Sequence, residues 1–167
     1  MSDAKTQGHE VAVVCIYHPV RDELLFARRS LDDDLWPGKW YVISEHIEGV
    51  ADAQGSAAIE TAVKGAKVET GLDIGILGLL PARPVIQYKS ERFSLWPVVA
   101  RARSDNIVLH KAELIEYCWL YSKCAMGVLG YENFVRCDAE VNGAGHLAQM
   151  LDSAEKYRVF LRDLTRM

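Results

Sequence analysis

The chain has 167 residues, of which 50% are hydrophobic and 25% are charged, and its net charge is −4 at pH 7. This length suffices for one domain with an ordinary core, and the composition excludes intrinsic disorder. The negative charge argues against a nucleic-acid polymer or an anionic membrane as a partner, whereas a local pocket for a single nucleotide stays possible.

The first part of the chain predicts short strands separated by turns. Residues 11–17 are rich in β-branched side chains and predict a buried strand, and residues 23–29 complete a hairpin with it. Residues 32–39 predict a loop, and residues 40–47 predict a third strand. A loop of small side chains follows over residues 49–55.

One helix is clearly marked in the middle of the chain. Ser56 is a plausible N-cap and Gly71 is the expected stop, so the pattern predicts a helix from Ser56 to Thr70. Gly65 lies in the middle of this helix, where glycine destabilises the helix by about 1 kcal/mol relative to alanine. Close packing by a ligand or by neighbouring backbone would offset this cost, and simple sequence drift is the alternative.

The second part of the chain predicts more strands and a terminal helix. Strands are expected over residues 72–80, 93–103 and 116–121, and an amphipathic helix over residues 145–165. This order of elements predicts a mixed sheet packed between helices, in a single domain that spans residues 1–167. The terminal helix could pack on its own sheet or on a second copy, so a homodimer stays possible.

The N-terminus and the cysteines favour a cytoplasmic location. Residues 1–9 lack the apolar core of a signal peptide, and we expect them to be flexible. The longest apolar run, residues 11–17, is far shorter than the ~20 residues that span a bilayer. The four cysteines form no C-x-x-C pair, which without an export signal is typical of reduced thiols.

Several segments in a fixed order resemble the Nudix hydrolase family. They are the hairpin end at residues 24–29, Trp36-Pro37-Gly38-Lys39-Trp40, His46-Ile47-Glu48, and the helix end Lys64 to Leu72. The resemblance covers about residues 10–122 and implies a Nudix-type α/β/α sandwich with a central mixed sheet. It also implies hydrolysis of a nucleoside diphosphate or another organic diphosphate with Mg²⁺ or Mn²⁺.

The helix departs from the Nudix signature at most of its acidic positions. In the family, carboxylates on one helical face hold divalent cations by oxygen. Counted back from Gly71, the paired glutamates correspond to Val68 and Glu69, and the Arg-Glu pair corresponds to Lys64-Gly65. An earlier glutamate is Ser56, and the strand-ending Gly-Gly is Ser44-Glu45. Of the usual helical carboxylates, this chain keeps only Glu69.

The resemblance therefore gives Glu69 as the catalytic residue and as one metal ligand. Glu45 and Glu48, from the strand beside the helix, are the expected replacement ligands. Because neighbouring strand residues point to opposite faces, Glu45 and His46 should not both join the site. The other expected roles are substrate binding, with the phosphate held by Arg28 and Arg29 and a ring stacked on Trp36. Weaker candidates lie near the strand at 116–121, namely His110, Glu113 and Glu116.

Three functional hypotheses follow from this pattern. The first is a divalent-metal-dependent hydrolase that acts on a small diphosphate or nucleotide. The second is a catalytically silent Nudix domain, with a degenerate active site, that binds a nucleotide-like ligand or a protein partner. The third rests on a resemblance of residues 36–40 and Trp96-Pro97-Val98 to isopentenyl-diphosphate isomerase, which requires a cysteine where this chain has Ser44-Glu45-His46.

Overall fold

The structure, a computed structural model, describes residues 7–49, 54–138, 140 and 145–166. These residues contain eight strands and three α-helices. The strands are β1 (Gln7–Tyr17), β2 (Leu24–Arg29), β3 (Trp40–Tyr41), β4 (Ile43–His46), β5 (Ile74–Leu79), β6 (Val85–Tyr88), β7 (Glu91–Ala102) and β8 (Leu114–Leu120). The helices are α1 (Ser56–Thr70), α2 (Ser122–Leu129) and α3 (Gly145–Leu164). A 3₁₀ turn, Tyr131–Asn133, follows α2.

The sheet is mixed, as predicted, and β1 is its central strand. β1 runs parallel to β7 along its whole length and antiparallel to β2 and β4. The order through the sheet is β3-β2-β1-β7-β5, with β4 paired to β1, β6 to β7 and β8 to β2. A central strand buried on both faces needs a continuous apolar run, which residues 11–17 supply.

Helices cover both faces of this sheet. Alternate residues of β1 point to opposite sides: Ala12, Val14 and Ile16 share a core with three alanines of α1, namely Ala58, Ala62 and Ala66. Val13, Cys15 and Tyr17 share the other core with the apolar stripe of α3, namely Leu147, Met150, Leu151 and Ala154. The architecture is therefore the predicted α/β/α sandwich.

Tertiary pairing divides the third predicted strand in two. β3 pairs with β2 through Ala27↔Tyr41, whereas β4 pairs with β1 through Val14↔Ile43. The chain changes its partner strand at Val42, so the predicted strand over residues 40–47 is two strands. The described part of the chain contains no helix with the length and hydrophobicity of a membrane span.

Two expectations for the chain ends and caps are corrected. Residues 7–9, expected within a flexible N-terminus, belong to β1, because β7 supplies a hydrogen-bonding partner strand there. Residues 1–6 and most of the predicted small-residue loop, residues 50–53, lie outside the described residues. Gly55, in a left-handed conformation with φ 77°, is the N-cap of α1 instead of Ser56. Gly71 ends the helix as predicted, with φ 74°.

β6 and α2 were not predicted from the sequence. β6 has four residues and buries only Ile86, so its apolar signal is weak, and its conformation depends on pairing with β7. α2 buries only Ala125 and Met126 against the core that α3 also covers. Both elements are too short for local sequence patterns to mark them.

Candidate active site

A cavity of about 330 Å³ opens beside the C-terminal end of α1. One part of its wall is apolar and aromatic, with side chains from the loop before β3, from β1, β6 and β7: Val11, Val13, Trp36, Ile86, Phe93 and Leu95. The other part carries charged side chains, chiefly Arg29, Asp33, Glu45, Glu69 and Glu113. A cavity with this division can hold a molecule that has an apolar part and a charged part.

Three glutamates from different elements meet at the charged end of the cavity. Glu45 comes from β4, Glu69 from the last turn of α1, and Glu113 directly precedes β8. One carboxylate oxygen from each lies within 4.8 Å of the other two. We call these three residues the glutamate cluster.

Backbone hydrogen bonds hold Glu113 beside the helix. The His110 N–H donates to the Glu69 carbonyl at 2.8 Å, and the Glu113 N–H donates to the His110 carbonyl at 2.9 Å. The Ser30 N–H, just beyond β2, donates to the Glu113 carbonyl at 2.8 Å. The segment 110–113 therefore joins the end of α1 to the end of β2, which places a third carboxylate at the cluster.

The cluster joins a buried carboxylate to more accessible ones, because Glu69 is buried, Glu45 is half-buried and Glu113 is exposed. Glu69 is 6% exposed, and its pKa is raised to about 9 by burial, by a hydrogen bond with Glu113 and by the charge of Glu45. Burial and the charge of Glu113 also raise the pKa of Glu45. Arg29 opposes the rise at Glu69. Without a cation, the cluster therefore retains a proton on Glu69 at neutral pH.

The glycine in the middle of α1 makes room for Glu45. A Cβ atom added to Gly65 would lie 2.9 Å from the Glu45 Cβ and 3.2 Å from its Cγ. Carbon atoms pack at about 3.5–4.0 Å, so no larger residue fits at position 65 while Glu45 keeps its place. The close approach of Glu45, on β4, therefore explains why the middle of α1 carries a glycine despite its cost to the helix.

Arg29 is held at the cavity wall by an acidic partner. Its Nε and Nη2 donate to Asp33 Oδ2 at 3.0 and 2.7 Å, and its Nη1 donates to Ser44 Oγ at 3.4 Å. The other oxygen of Asp33 accepts the backbone N–H groups of Leu35 and Trp36. The guanidinium is therefore fixed in orientation, and it lies close enough to Glu69 for its charge to lower the pKa of that carboxyl.

The structure brings together some of the predicted site residues. Glu45, Glu69, Arg29 and Trp36 line the cavity. Trp36 is nearly buried, stacked on the Tyr88 ring with a centroid distance of 5.1 Å, so it forms a fixed part of the wall.

Other predicted site residues lie elsewhere. Glu48 is exposed and belongs neither to the glutamate cluster nor to the cavity lining. Arg28 points to the other face of β2, where its Nε donates to the Gly38 carbonyl at 2.9 Å. His46 also lines the cavity, but of these two neighbours only Glu45 joins the cluster, in agreement with strand alternation.

Glu113 had only a weak sequence signal. It was a weak candidate because the family resemblance implies a further carboxylate near this strand, and the other two candidates there, His110 and Glu116, lie outside the cluster. Its closeness to Glu69 depends on the path of the segment 110–113 across the end of α1. No local pattern in the sequence encodes that path.

The fold is shared with proteins of known structure. Solved structures with a similar fold include a MutT protein from Methanosarcina mazei Go1. It gives a TM-score of 0.66 at 17% identity, covering 94% of this chain and 96% of that chain. A C. elegans Ap4A hydrolase gives a TM-score of 0.65 at 16% identity, covering 93% and 98% of the two chains. A Nudix hydrolase from Nitrosomonas europaea gives 0.64 at 10% identity, covering 90% of each.

These similarities define the class of fold. No protein-family model and no curated protein sequence matches the chain. The identities to the solved structures are low, so the comparison concerns the fold. The chain has the Nudix fold, as the sequence resemblance implied.

Proposed function

We propose that this protein is a divalent-metal-dependent hydrolase of a small organic diphosphate, with Glu45, Glu69 and Glu113 as the metal ligands. The glutamate cluster carries the proposal, because it gathers three carboxylates at the charged end of a cavity in a Nudix fold. Its donors are all oxygen atoms, which suit hard cations such as Mg²⁺ and Mn²⁺. The residues present therefore fit the metal that the fold implies.

The contact between Gly65 and Glu45 supports the proposal. The family signature has a glutamate on the helix at the position of Gly65 and a glycine on the strand near the position of Glu45. This chain has the two residue types exchanged, and the glutamate now on the strand occupies the space that the helical glycine leaves. On this interpretation the carboxylate has been relocated from α1 to β4 and kept in the site.

The chemistry assigned to each group follows from its position. A bound divalent cation neutralises charge on a diphosphate and activates water. As a ligand of such a cation Glu69 would be ionised, with its proton released to solvent. Arg29 supplies a fixed positive charge that can donate hydrogen bonds to a phosphate oxygen.

The cavity wall suggests the kind of group that the diphosphate carries. Trp36, Phe93 and Ile86 line the cavity, and the Trp36 ring centroid lies 6.0 Å from Arg29 Cζ. We therefore propose a substrate whose second moiety is apolar or aromatic, a nucleoside included. One similar structure is an Ap4A hydrolase, which agrees with a nucleotide substrate.

A catalytically silent ligand-binding domain is the second candidate. It is favoured by the raised pKa of Glu69, because a buried carboxyl that keeps its proton needs no cation to offset its charge. In that case the cavity binds its ligand through Arg29 and the apolar wall alone. The cytoplasmic location and a homodimer stay predictions under either function.

A substrate panel with variants separates the two functions. Nucleoside diphosphate derivatives and dinucleoside polyphosphates are incubated with Mg²⁺ or Mn²⁺, and phosphate products are measured. For the hydrolase, Glu45→Gln, Glu69→Gln and Glu113→Gln each lower kcat by at least about a hundredfold. Glu60→Gln, exposed on the same helix as Glu69, is the matched control and keeps full activity.

The outcome against the hydrolase is equally defined. Ligand binding by calorimetry, without metal-dependent turnover of any panel member, supports the silent domain. Activity that survives all three substitutions in the glutamate cluster overturns the assigned ligands. Glu48→Gln decides the role predicted for Glu48 from the sequence, and its exposed position leads us to expect no loss.

A further inference from the structure

A second group of ligand-type side chains lies at the start of α3, apart from the glutamate cluster. It consists of Cys137, Glu140 and His146, and one ligand atom from each lies within 4.8 Å of the other two. Cys137 and His146 are 9% and 8% exposed, and the Glu140 side chain is 12% exposed. The group is thus largely removed from solvent, although it contains a thiol, a carboxylate and an imidazole.

The carboxylate of this group is held in place by the backbone. Glu140 Oε2 accepts the Cys137 N–H at 3.0 Å, and Oε1 accepts the His146 N–H. His146 Nδ1 lies 2.9 Å from Glu140 Oε1 and 3.0 Å from Oε2. The Glu140 carboxylate and the Nδ1 side of the imidazole therefore face each other, and the Cys137 thiol lies close to both.

The far side of the imidazole has the partner that a metal-binding histidine requires. His146 Nε2 lies 2.9 Å from Tyr41 Oη, and the contact is buried. A histidine that ligates a metal through one ring nitrogen usually donates its other N–H to an oxygen, which fixes the ring. The Tyr41 hydroxyl can accept as well as donate, so it serves either tautomer of His146.

We propose that Cys137, Glu140 and His146 form a binding site for a transition-metal ion of the zinc class. Thiolate, imidazole and carboxylate together are a ligand set that Zn²⁺ takes, whereas Mg²⁺ does not take thiolate. An ion held there would have Cys137 as the thiolate, its proton released to solvent, and His146 as the neutral tautomer that binds through Nδ1 and keeps its single proton on Nε2, which donates to Tyr41. The ion replaces the hydrogen bond between His146 and Glu140.

The consequence of such a site is mechanical. His146 lies in the first turn of α3, Tyr41 ends β3, and the backbone near Cys137 is hydrogen-bonded to β6 through Asp138 N and the Gln87 carbonyl at 2.8 Å. An ion held there ties the start of α3 to the sheet edge. Tyr41 also lines the cavity, so the site adjoins the cavity wall.

Cobalt substitution tests the site without any activity measurement. The full chain is freed of metal by chelator dialysis and titrated with Co²⁺, which gives a near-ultraviolet thiolate-to-cobalt absorption only when a cysteine ligates it. We expect this band in the wild type, its displacement by Zn²⁺, and its loss in Cys137→Ser. Cys124→Ser, which changes an exposed thiol, is the matched control and keeps the band.

Two further variants keep the proposal testable if Cys137→Ser is poorly folded. Tyr41→Phe should weaken Co²⁺ binding by about 10–100-fold and leave the thiolate band in place. Glu69→Gln, in the glutamate cluster, should change neither the band nor its midpoint. A wild type that binds Co²⁺ without the band, or a band that survives Cys137→Ser and disappears in Cys124→Ser, overturns the proposal.

Discussion

Replacement of Gly65 by alanine tests whether Glu45 can lie where it does only because residue 65 has no side chain. In the exposed interior of a helix, replacing glycine with alanine stabilises a protein by about 1 kcal/mol. Here the new Cβ would lie 2.9 Å from the Glu45 Cβ, an atom fixed to the strand backbone that cannot swing away. Overpacking of this kind costs about 1–3 kcal/mol. We therefore expect Gly65→Ala to lower the free energy of unfolding by about 1 kcal/mol.

The matched control is the same substitution in another helix. Gly127 lies in α2, and a Cβ added there would meet nothing within 4 Å. Gly127→Ala should therefore stabilise the protein by about 0.5–1 kcal/mol, opposite in sign to Gly65→Ala. Urea unfolding followed by circular dichroism measures both variants. A Gly65→Ala protein as stable as Gly127→Ala would refute the packing argument.

Removal of the Glu45 side chain should reverse the effect of the alanine. In a Glu45→Gly background the steric conflict is absent, so adding Gly65→Ala should raise the free energy of unfolding by about 1 kcal/mol. The coupling between the two positions is then about 1–3 kcal/mol, which a double-mutant cycle measures. Purely additive effects would show that the alanine strains some other contact.

The full exchange extends the test to metal binding. Glu45→Gly alone should weaken Mn²⁺ binding in calorimetry, because it removes one of three carboxylates from the cluster. Adding Gly65→Glu returns a carboxylate to the helix and should restore affinity. Tight Mn²⁺ binding in Glu45→Gly alone would exclude Glu45 as a ligand, whatever the outcome for stability.

Three further predictions concern stability. Burial and neighbouring carboxylates raise the pKa of Glu69 from 4.5 to about 9. The free energy of unfolding of the metal-free wild type should therefore fall by up to about 1.4 kcal/mol per pH unit as the pH rises between these two values. Glu69→Gln should lack this slope in urea unfolding, and equal slopes would contradict the shift. Asp33→Ala, which removes the partner of Arg29 and two backbone hydrogen bonds, should destabilise by about 1–3 kcal/mol in thermal unfolding, and an unchanged Tm would oppose it. Gly78→Ala would place a Cβ in steric conflict with Tyr157 Oη and displace that hydroxyl from the Leu77 carbonyl in β5. It should lower the free energy of unfolding by about 1 kcal/mol in urea unfolding, and no change would show that Tyr157 moves freely.

Local patterns in the sequence were sufficient to predict the main strands and helices and one residue of the site, Glu69. The apolar run at residues 11–17 predicted the central strand, because a strand buried on both faces must be apolar throughout. Glycine at position 71 predicted the end of α1, because the left-handed conformation there favours glycine. The resemblance built on these segments led to the Nudix fold and to Glu69 beside the cavity.

Only the tertiary structure decided which carboxylates meet Glu69. Glu45 and Glu48 are three residues apart and were equal candidates, yet only Glu45 faces Gly65 and joins the cluster. Glu113 reaches the cluster because backbone hydrogen bonds carry its segment across the end of α1. The physical reason is that helix and strand periodicity are set by neighbours in the chain. The approach of side chains from separate elements depends on how the whole sheet and its helices pack.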